Sequence, residues 1–195
     1  MIPYFMNREI VLASASPRRL DILRQIGVEP RLCPVEVAEI NNLNEYGPSR
    51  LARLNARLKA RAALACNPAP ASIIIGADTV VVLEGRLFGK PRGAAEAAIM
   101  LRALSGRRHS VYTGICLVDT ASGASACGVS RTLVSFAALS EEDILLYVDT
   151  GEPLDKAGAY GIQGAGGLFV EAIRGDYGTV VGLSLPLLAK LSKKL

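Results

Sequence analysis

Two adjacent arginines stand between an apolar run and an amphipathic segment in LASASPRRLDILRQIG, residues 12–27. Ser16 has the type and position of a helix N-cap. A helix N-terminus has unpaired N–H groups and a partial positive charge, so it binds anions. Ser14 adds a hydroxyl group, and Arg18 and Arg19 add guanidinium groups suited to phosphate oxygens. The same residues also fit a plain capped helix whose arginines face water, so this turn alone leaves phosphate binding open.

A single aspartate, Asp78, separates two β-branched runs in SIIIGADTVVV, residues 72–82. This position indicates a strand end or a bulge, where functional groups concentrate. A carboxylate there can bind Mg²⁺ or accept a proton from water. A turn aspartate that bonds its own backbone is the alternative.

The segment GRLFGKP, residues 85–91, carries Lys90. It is not a P-loop, because its glycine spacing is one residue short and proline follows the lysine. Lys90 still suits phosphate as a point charge. An exposed loop lysine without a ligand is the alternative.

A glycine-rich segment, GEPLDKAGAYGIQGAGG, covers residues 151–167. Asp155 and Lys156 stand beside the glycines, which allow a backbone to approach a ligand closely. Gln163 has an amide that can read the edge of a base. The spacing is not that of a dinucleotide-binding motif, and a flexible loop is the alternative interpretation.

Composition excludes several classes of site and predicts a soluble protein. The chain has 195 residues, 50% of them hydrophobic, and a net charge of +4. Its four cysteines form no CxxC pair and His109 is its one histidine, so a Cys/His zinc site is not expected. We expect all four cysteines to be reduced, as in the cytoplasm, and we expect neither a signal peptide nor a membrane span. His109 has no evident partner for a catalytic triad.

The elements that must position these residues alternate between strands and helices. Strands are predicted at 9–14, 29–37 and 72–90, and a hairpin at 109–139. Helices are predicted at 17–26, 48–66, 93–106, 140–151 and about 180–194. This pattern indicates an α/β fold with a mixed sheet, and no linker is long enough to separate independent domains.

Taken in order, the motifs resemble the Maf family of nucleotide pyrophosphatases over nearly the whole chain. They include LASASPRR, LNARLKARA, GADTVVVLEGRLFGKP and YVDTGEPLDKAGAYGIQGAGG. The resemblance implies a single domain at 1–195 with two lobes. In this fold a mixed β-sheet with flanking helices surrounds a deep cleft, similar to inosine triphosphate pyrophosphatases.

The resemblance also implies hydrolysis of a nucleoside triphosphate to a monophosphate and pyrophosphate, assisted by Mg²⁺ or Mn²⁺. Asp78 matches the family's general base. Asp78 and Glu39 are the expected metal ligands. The positions that match substrate-binding residues are Ser14, Arg18, Arg19, Lys59, Thr79, Lys90, Asp155, Lys156 and Gln163. Among these, Arg19, Thr79 and Gln163 match the substrate-selecting positions.

The run GEPLDKAGAYGIQG and Thr79 are similar to the branch of the family that acts on dTTP and UTP. Two positions depart from the family pattern, because Leu58 precedes Lys59 and Ala38 precedes Glu39, where carboxylates are usual. The number of metal ions therefore stays open. The same chemistry on 7-methyl-GTP or another base, or a nucleotide-binding regulator of cell division, are the alternatives.

For partners, the resemblance implies a free nucleoside triphosphate and allows a homodimer. A stable complex with nucleic acid or a membrane is not expected. A role in clearing modified nucleotides is also compatible with this activity.

Overall fold

The computed structural model describes Phe5 and residues 8–195, which contain seven strands and six helices. The strands are β1 Ile10–Ala13, β2 Arg31–Leu32, β3 Ile73–Leu83, β4 Arg86–Phe88, β5 Arg108–Asp119, β6 Ser125–Phe136 and β7 Val170–Arg174. The helices are α1 Pro17–Gln25, α2 Leu43–Ala62, α3 Ala94–Leu104, α4 Glu141–Asp149, α5 Tyr177–Val181 and α6 Leu185–Ser192. Short 3₁₀ segments cover Ala63–Cys66, Glu152–Asp155, Ala157–Ala159 and Ala165–Phe169. Within the described residues, no helix combines the length and the apolar character needed to cross a bilayer.

The seven strands form one mixed sheet in the order β2-β1-β3-β5-β6-β7, with β4 paired to β3. Strand β1 runs parallel to both β2 and β3, whereas β4 and β7 run antiparallel to their partners. Parallel pairs need crossover connections, and α1 and α2 lie in the connections between the first three strands. The predicted α/β class with a mixed sheet is therefore confirmed.

The chain divides into two compact units. The first unit comprises Met1–Asp78, Thr113–Ser130 and Gly182–Leu195, and the second comprises Thr79–Tyr112 and Arg131–Val181. Each unit has its own apolar core. The expected single domain with two lobes stays a prediction.

The core of the first unit is built from small residues. Alanines of α2, among them Ala56 and Ala60, pack with Val11 and Ile74 of the sheet. The core of the second unit joins α3 and α4 to an aromatic group. In that group the rings of His109, Phe136 and Tyr160 pack edge to face, with centroids between 4.7 and 5.4 Å apart.

Most predicted elements are present, and several differ in extent. Helix α2 covers Leu43–Ala62 instead of 48–66. Asp78, expected at a strand end or a bulge, lies inside β3. Strand β2 covers only Arg31–Leu32 instead of 29–37, because proline at 30 and 34 removes ladder donors on both sides. The single helix predicted at about 180–194 is wrong. Gly182 has φ +118°, and Ser184 caps a new helix by accepting a bond from Leu187 N.

The four cysteines are paired, which contradicts the expectation of reduced thiols. Cys33 is bonded to Cys66, and Cys116 to Cys127. Because β5 and β6 are joined by a short turn, the Cα atoms of Cys116 and Cys127 lie 4.0 Å apart. The other pair forms because the 3₁₀ turn after α2 returns to the end of β2. Sequence spacing alone does not show either approach.

Candidate active site

The position of Asp78 follows from the close packing of β3 on α2. Side chains two residues apart on a strand share a face, so Gly76 and Asp78 point to the same side. A Cβ at Gly76 would lie 2.5 Å from Ala60 N and would overlap Ala56 O. The absence of a side chain at Gly76 therefore lets the helix backbone approach the strand. Asp78, which is 5% exposed, then faces α2 at hydrogen-bond distance.

Lys59 is the cation that α2 presents to this carboxylate. Its Nζ lies 2.6 Å from Asp78 Oδ1 and 2.6 Å from Glu39 Oε1. The Lys59 side chain is 14% exposed and that of Asp78 is 7% exposed, so their contact is shielded from bulk water, whereas the Glu39 side chain is 55% exposed. A buried carboxylate needs such a partner, because an isolated charge in the interior is strongly unfavourable.

Asn55 is a second partner of Asp78, and sequence reasoning missed it. It stands four residues before Lys59, so the two side chains share one face of α2. Asn55 Nδ2 donates to Asp78 Oδ2 at 3.2 Å and to Ile40 O at 3.0 Å, and Oδ1 accepts from Ile40 N at 2.8 Å. A polar residue on the otherwise apolar face of a helix is the signal that could have revealed it.

The Asn55 amide fastens the segment after Glu39 to the helix. Its two bonds to the Ile40 backbone resemble a pair in a β-ladder and fix which way the amide points. The second N–H of Nδ2 is thereby directed at Asp78. Glu39, Lys59, Asn55 and Asp78 thus form one hydrogen-bonded group, the carboxylate cluster, within the first unit.

The predicted arginine turn also lies in the first unit, between β1 and α1. Ser14 Oγ accepts from Ser16 N at 3.1 Å and from Arg19 Nη1 at 2.9 Å. Arg19 Nε donates to Gly182 O at 2.9 Å. Ser16 occupies the N-cap position as predicted, and its own side chain makes no capping bond. The tethered Arg19 is therefore fixed in direction, which suits recognition better than bulk charge neutralisation.

The arginine turn and the carboxylate cluster influence each other electrostatically. Burial lowers the pKa of Arg19, the charge of Arg18 lowers it further, and those of Asp78 and Glu39 oppose the shift. An arginine keeps its charge despite such a shift, because its ordinary pKa is above 12. A half-buried cation beside a second cation is more stable with an anion bound, so the turn favours an anionic ligand.

The two expected metal ligands, Asp78 and Glu39, both belong to the carboxylate cluster. Among the described residues no group of three or more His, Cys, Asp or Glu side chains could hold a metal ion. Asp78 and Glu39 do converge, because both bond the same Lys59 nitrogen. Mg²⁺ commonly uses one or two carboxylates plus substrate phosphates, so this pair of hard oxygen donors fits it.

The remaining predicted site residues belong to the second unit. Lys90 and Gln163 are exposed, and neither has a hydrogen bond or ion pair with the described residues. Thr79 follows Asp78 in β3 and is partly buried. Lys156 Nζ donates to Asp155 Oδ1 and to Glu152 O, both at 2.6 Å.

Gathered carboxylate, ammonium and guanidinium groups on an α/β scaffold are typical of enzymes that act on phosphate anhydrides. The chain belongs to the family described as Maf-like protein, whose model matches residues 9–195. The resemblance read from the ordered motifs is therefore confirmed.

Several relatives match nearly the full length of the chain. It is 43% identical over 190 residues to a dTTP/UTP pyrophosphatase of Dictyoglomus thermophilum, covering 97% of each chain. It is 46% identical over 191 residues to the dTTP/UTP pyrophosphatase of Anaeromyxobacter dehalogenans, covering 97% of this chain and 95% of that protein. Among solved structures, a HAM1 protein from Coxiella burnetii aligns with 96% of this chain and 100% of its own, at 18% identity and a TM-score of 0.49.

Proposed function

We propose that this chain hydrolyses dTTP and UTP to the nucleoside monophosphate and pyrophosphate. The observation that carries the proposal is Asp78, a buried carboxylate held on one oxygen by Lys59 and on the other by Asn55. Family membership and the dTTP/UTP activity named for the relatives above support the same reaction.

In the proposed reaction, Asp78 orients a water molecule and accepts its proton as the water oxygen bonds to the α-phosphorus. The bond between the α-phosphorus and the bridging oxygen breaks, and pyrophosphate leaves. Each carboxylate oxygen has two lone pairs, so Asp78 can accept this proton while it keeps its bonds to Lys59 and Asn55. Arg18 neutralises phosphate charge. Arg19, held in direction by Ser14 and Gly182, is assigned to substrate binding and selection.

Asp78 and Glu39 are the residues that would hold a divalent ion. A bound Mg²⁺ or Mn²⁺ supplies charge neutralisation and lowers the pKa of coordinated water. Lys59 supplies positive charge to the same carboxylates, and with Leu58 and Ala38 in place of family carboxylates we propose a single metal ion.

In the second unit, we assign phosphate binding to Lys90 and to Lys156 with its partner Asp155. Thr79 and Gln163 are assigned to selection of the base. An amide such as Gln163 can donate to the O4 acceptor of uracil or thymine, whereas cytosine presents an amino donor at that position.

The test is pyrophosphate release from a nucleotide panel of dTTP, UTP, CTP and 7-methyl-GTP, with Mg²⁺ or Mn²⁺. We expect the highest kcat/KM for dTTP and UTP and a loss of at least about 10³-fold in Asp78→Asn. An unchanged rate in Asp78→Asn would remove the role of Asp78. A wild type that binds dTTP without releasing pyrophosphate would favour the regulator instead.

We propose that the protein works in the cytoplasm on free nucleotides and assembles as a homodimer. Gel filtration combined with light scattering tests the assembly, and a monomeric mass at the working concentration would contradict it. The compartment is tested by titrating the free thiols of protein that is acid-quenched as the cells are broken. A reducing cytoplasm would open the two cysteine pairs, so free thiols are expected there.

A further inference from the structure

The glycine-rich loop at 161–167 closes around the carboxylate of Glu152. Glu152 Oε2 accepts from Ala165 N at 3.0 Å, and Oε1 accepts from Gly166 N at 3.4 Å and from the Tyr147 hydroxyl at 2.8 Å. The Tyr147 oxygen in turn accepts from Gly161 N at 3.0 Å. The partly buried Glu152 carboxylate therefore holds Ala165 and Gly166 directly, and it holds Gly161 through Tyr147.

The glycines of this loop make room for that anion. A Cβ at Gly164 would lie 2.5 Å from Glu152 Oε2, and one at Gly161 would lie 2.9 Å from Oε1. A Cβ at Gly166 would lie 2.5 Å from the Tyr147 oxygen. Real Cβ atoms do not approach so closely, so a side chain at Gly164 would displace the Glu152 carboxylate from its present position. The loop is not simply a flexible segment.

Gln163 stands on the turn that Glu152 fastens. Gly164 N donates to Gly161 O at 3.2 Å, which closes a turn with Gln163 at its third residue. The exposed Gln163 side chain makes no hydrogen bond to any residue that the structure describes, so its position depends on the backbone of the loop. Glu152 also anchors Lys156 through its carbonyl oxygen, at 2.6 Å.

We propose that Glu152 is a positioning residue that sets base selectivity by holding the loop that carries Gln163. The inference rests on the proposed function, in which Gln163 reads the base. A loop ordered before the nucleotide arrives loses less conformational entropy on binding, and it holds the backbone of Gln163 in one position. In Glu152→Gln the side chain keeps its shape, but its NH₂ group cannot accept a bond from a backbone N–H.

The experiment measures the ratio of affinities for two non-hydrolysable analogues, α,β-methylene UTP and α,β-methylene CTP, by titration calorimetry. Wild type should prefer the uracil analogue, and Glu152→Gln should reduce this preference about tenfold, the scale of one lost hydrogen-bonded discrimination. Gln163→Ala should lose the same preference, and the double variant should lose no more than either single variant. Glu142→Gln is the matched control, because it removes an exposed carboxylate of the same unit that makes no hydrogen bond or ion pair with any described residue of the loop.

The ratio of the two affinities distinguishes a positioning role of Glu152 from a general loss of stability. A structural role alone would lower the melting temperature and weaken both analogues equally, leaving the ratio at its wild-type value. That outcome overturns the inference, as does additive loss in the double variant or the absence of a preference in wild type. The proposed function fails on a different result, namely no pyrophosphate release from dTTP or UTP by wild type.

Discussion

At the scale of single residues, the carboxylate cluster shows how a buried acid is paired and held in one direction. Lys59 balances the negative charge of Asp78. The neutral Asn55 donates a hydrogen bond to the other carboxylate oxygen and fixes the direction of the side chain. The other two hydrogen bonds of the Asn55 side chain are to the backbone of Ile40, next to Glu39. The Asn55 side chain is 2% exposed, so water cannot replace these bonds when it is removed.

Asn55→Ala should therefore affect both stability and turnover. We expect a loss of about 1–3 kcal/mol in the free energy of unfolding, because buried groups of Ile40 and Asp78 lose their partners. We also expect kcat for UTP to fall about tenfold, because Asp78 loses its direction. Urea unfolding and steady-state kinetics measure the two effects. Arg57→Ala, an exposed change on the same helix, should alter neither, and an unchanged kcat in Asn55→Ala would contradict the proposed orientation of Asp78.

A second residue-scale prediction concerns His109, which lies in the aromatic group of the second unit. Burial lowers its pKa to about 4, and its Nε2 lies 2.9 Å from the Tyr160 hydroxyl. The unfolded chain has a pKa near 6.5 at this residue, so the folded state favours the neutral ring. Stability is therefore complete above about pH 6.5 and is lost as the pH falls toward 4.

Between about pH 7.5 and about pH 5, this linkage should lower the free energy of unfolding by about 2 kcal/mol. His109→Phe, which keeps an aromatic ring, should remove most of that pH dependence. Urea unfolding at the two pH values measures it. A hydrogen bond from Arg8 holds the pKa of Asp119 at about 2, so this group does not titrate in that range. Equal slopes in wild type and variant would show that His109 is not responsible.

At the scale of elements, the packing of β3 on α2 decides whether the site exists. The β-branched runs of β3 and the helical spacing of α2 are both readable in the sequence, and both elements were predicted. The distance between β3 and α2 was not predicted, because it depends on the contact of Gly76 with the backbone of Ala56 and Ala60. A glycine inside a strand signals a close approach without saying which element approaches.

Gly76→Ala should push α2 away from β3. We expect a loss of about 3 kcal/mol in the free energy of unfolding, because a methyl group would meet backbone atoms that cannot rotate aside. Gly89→Ala is the control, since a Cβ there meets nothing within 4 Å. Thermal unfolding of both variants tests this. A variant at Gly76 as stable as wild type would mean that the strand and helix are not in close contact.

The same reasoning explains which parts of the site could be predicted. Asp78 and the two arginines stand out because charged residues follow or interrupt apolar runs, whereas Lys59 is predicted only because the ordered motifs match a family. Asn55 interrupts the apolar face of its helix, but that pattern does not show which groups it bonds. Glu152 looks like an ordinary surface residue in the sequence. Both residues bond backbone atoms, of Ile40 and of Ala165, and backbone atoms leave no trace in a sequence pattern.

At the scale of the whole molecule, the cysteine pairs are the main difference from the sequence prediction. The absence of a CxxC spacing argues against a zinc site, but it does not bear on pairing between distant cysteines. Cys33 and Cys66 are 33 residues apart, and Cys116 and Cys127 are 11 apart. The longer closed loop contains Glu39, Asn55 and Lys59.

Reduction should therefore lower stability. Loop-closure entropy gives an upper contribution of about 3–4 kcal/mol for each bond, slightly more for the longer loop. We expect a reducing agent to shift the urea midpoint of wild type to lower concentration. The double variant Cys66→Ser/Cys127→Ser should already unfold at the lower urea midpoint, and the reducing agent should not change that midpoint. A wild-type midpoint that ignores the reductant would mean that the thiols are unpaired in solution.

The bond from Arg19 to the carbonyl of Gly182 spans 163 positions along the chain. Ribosomes deliver the N-terminal segment first, so the arginine turn emerges long before the residue that holds it in place. The second unit, Thr79–Tyr112 and Arg131–Val181, is made entirely within that interval. The anion site thus reaches its final geometry only after the last segment leaves the ribosome, and a growing chain carries its arginines without yet being a finished enzyme.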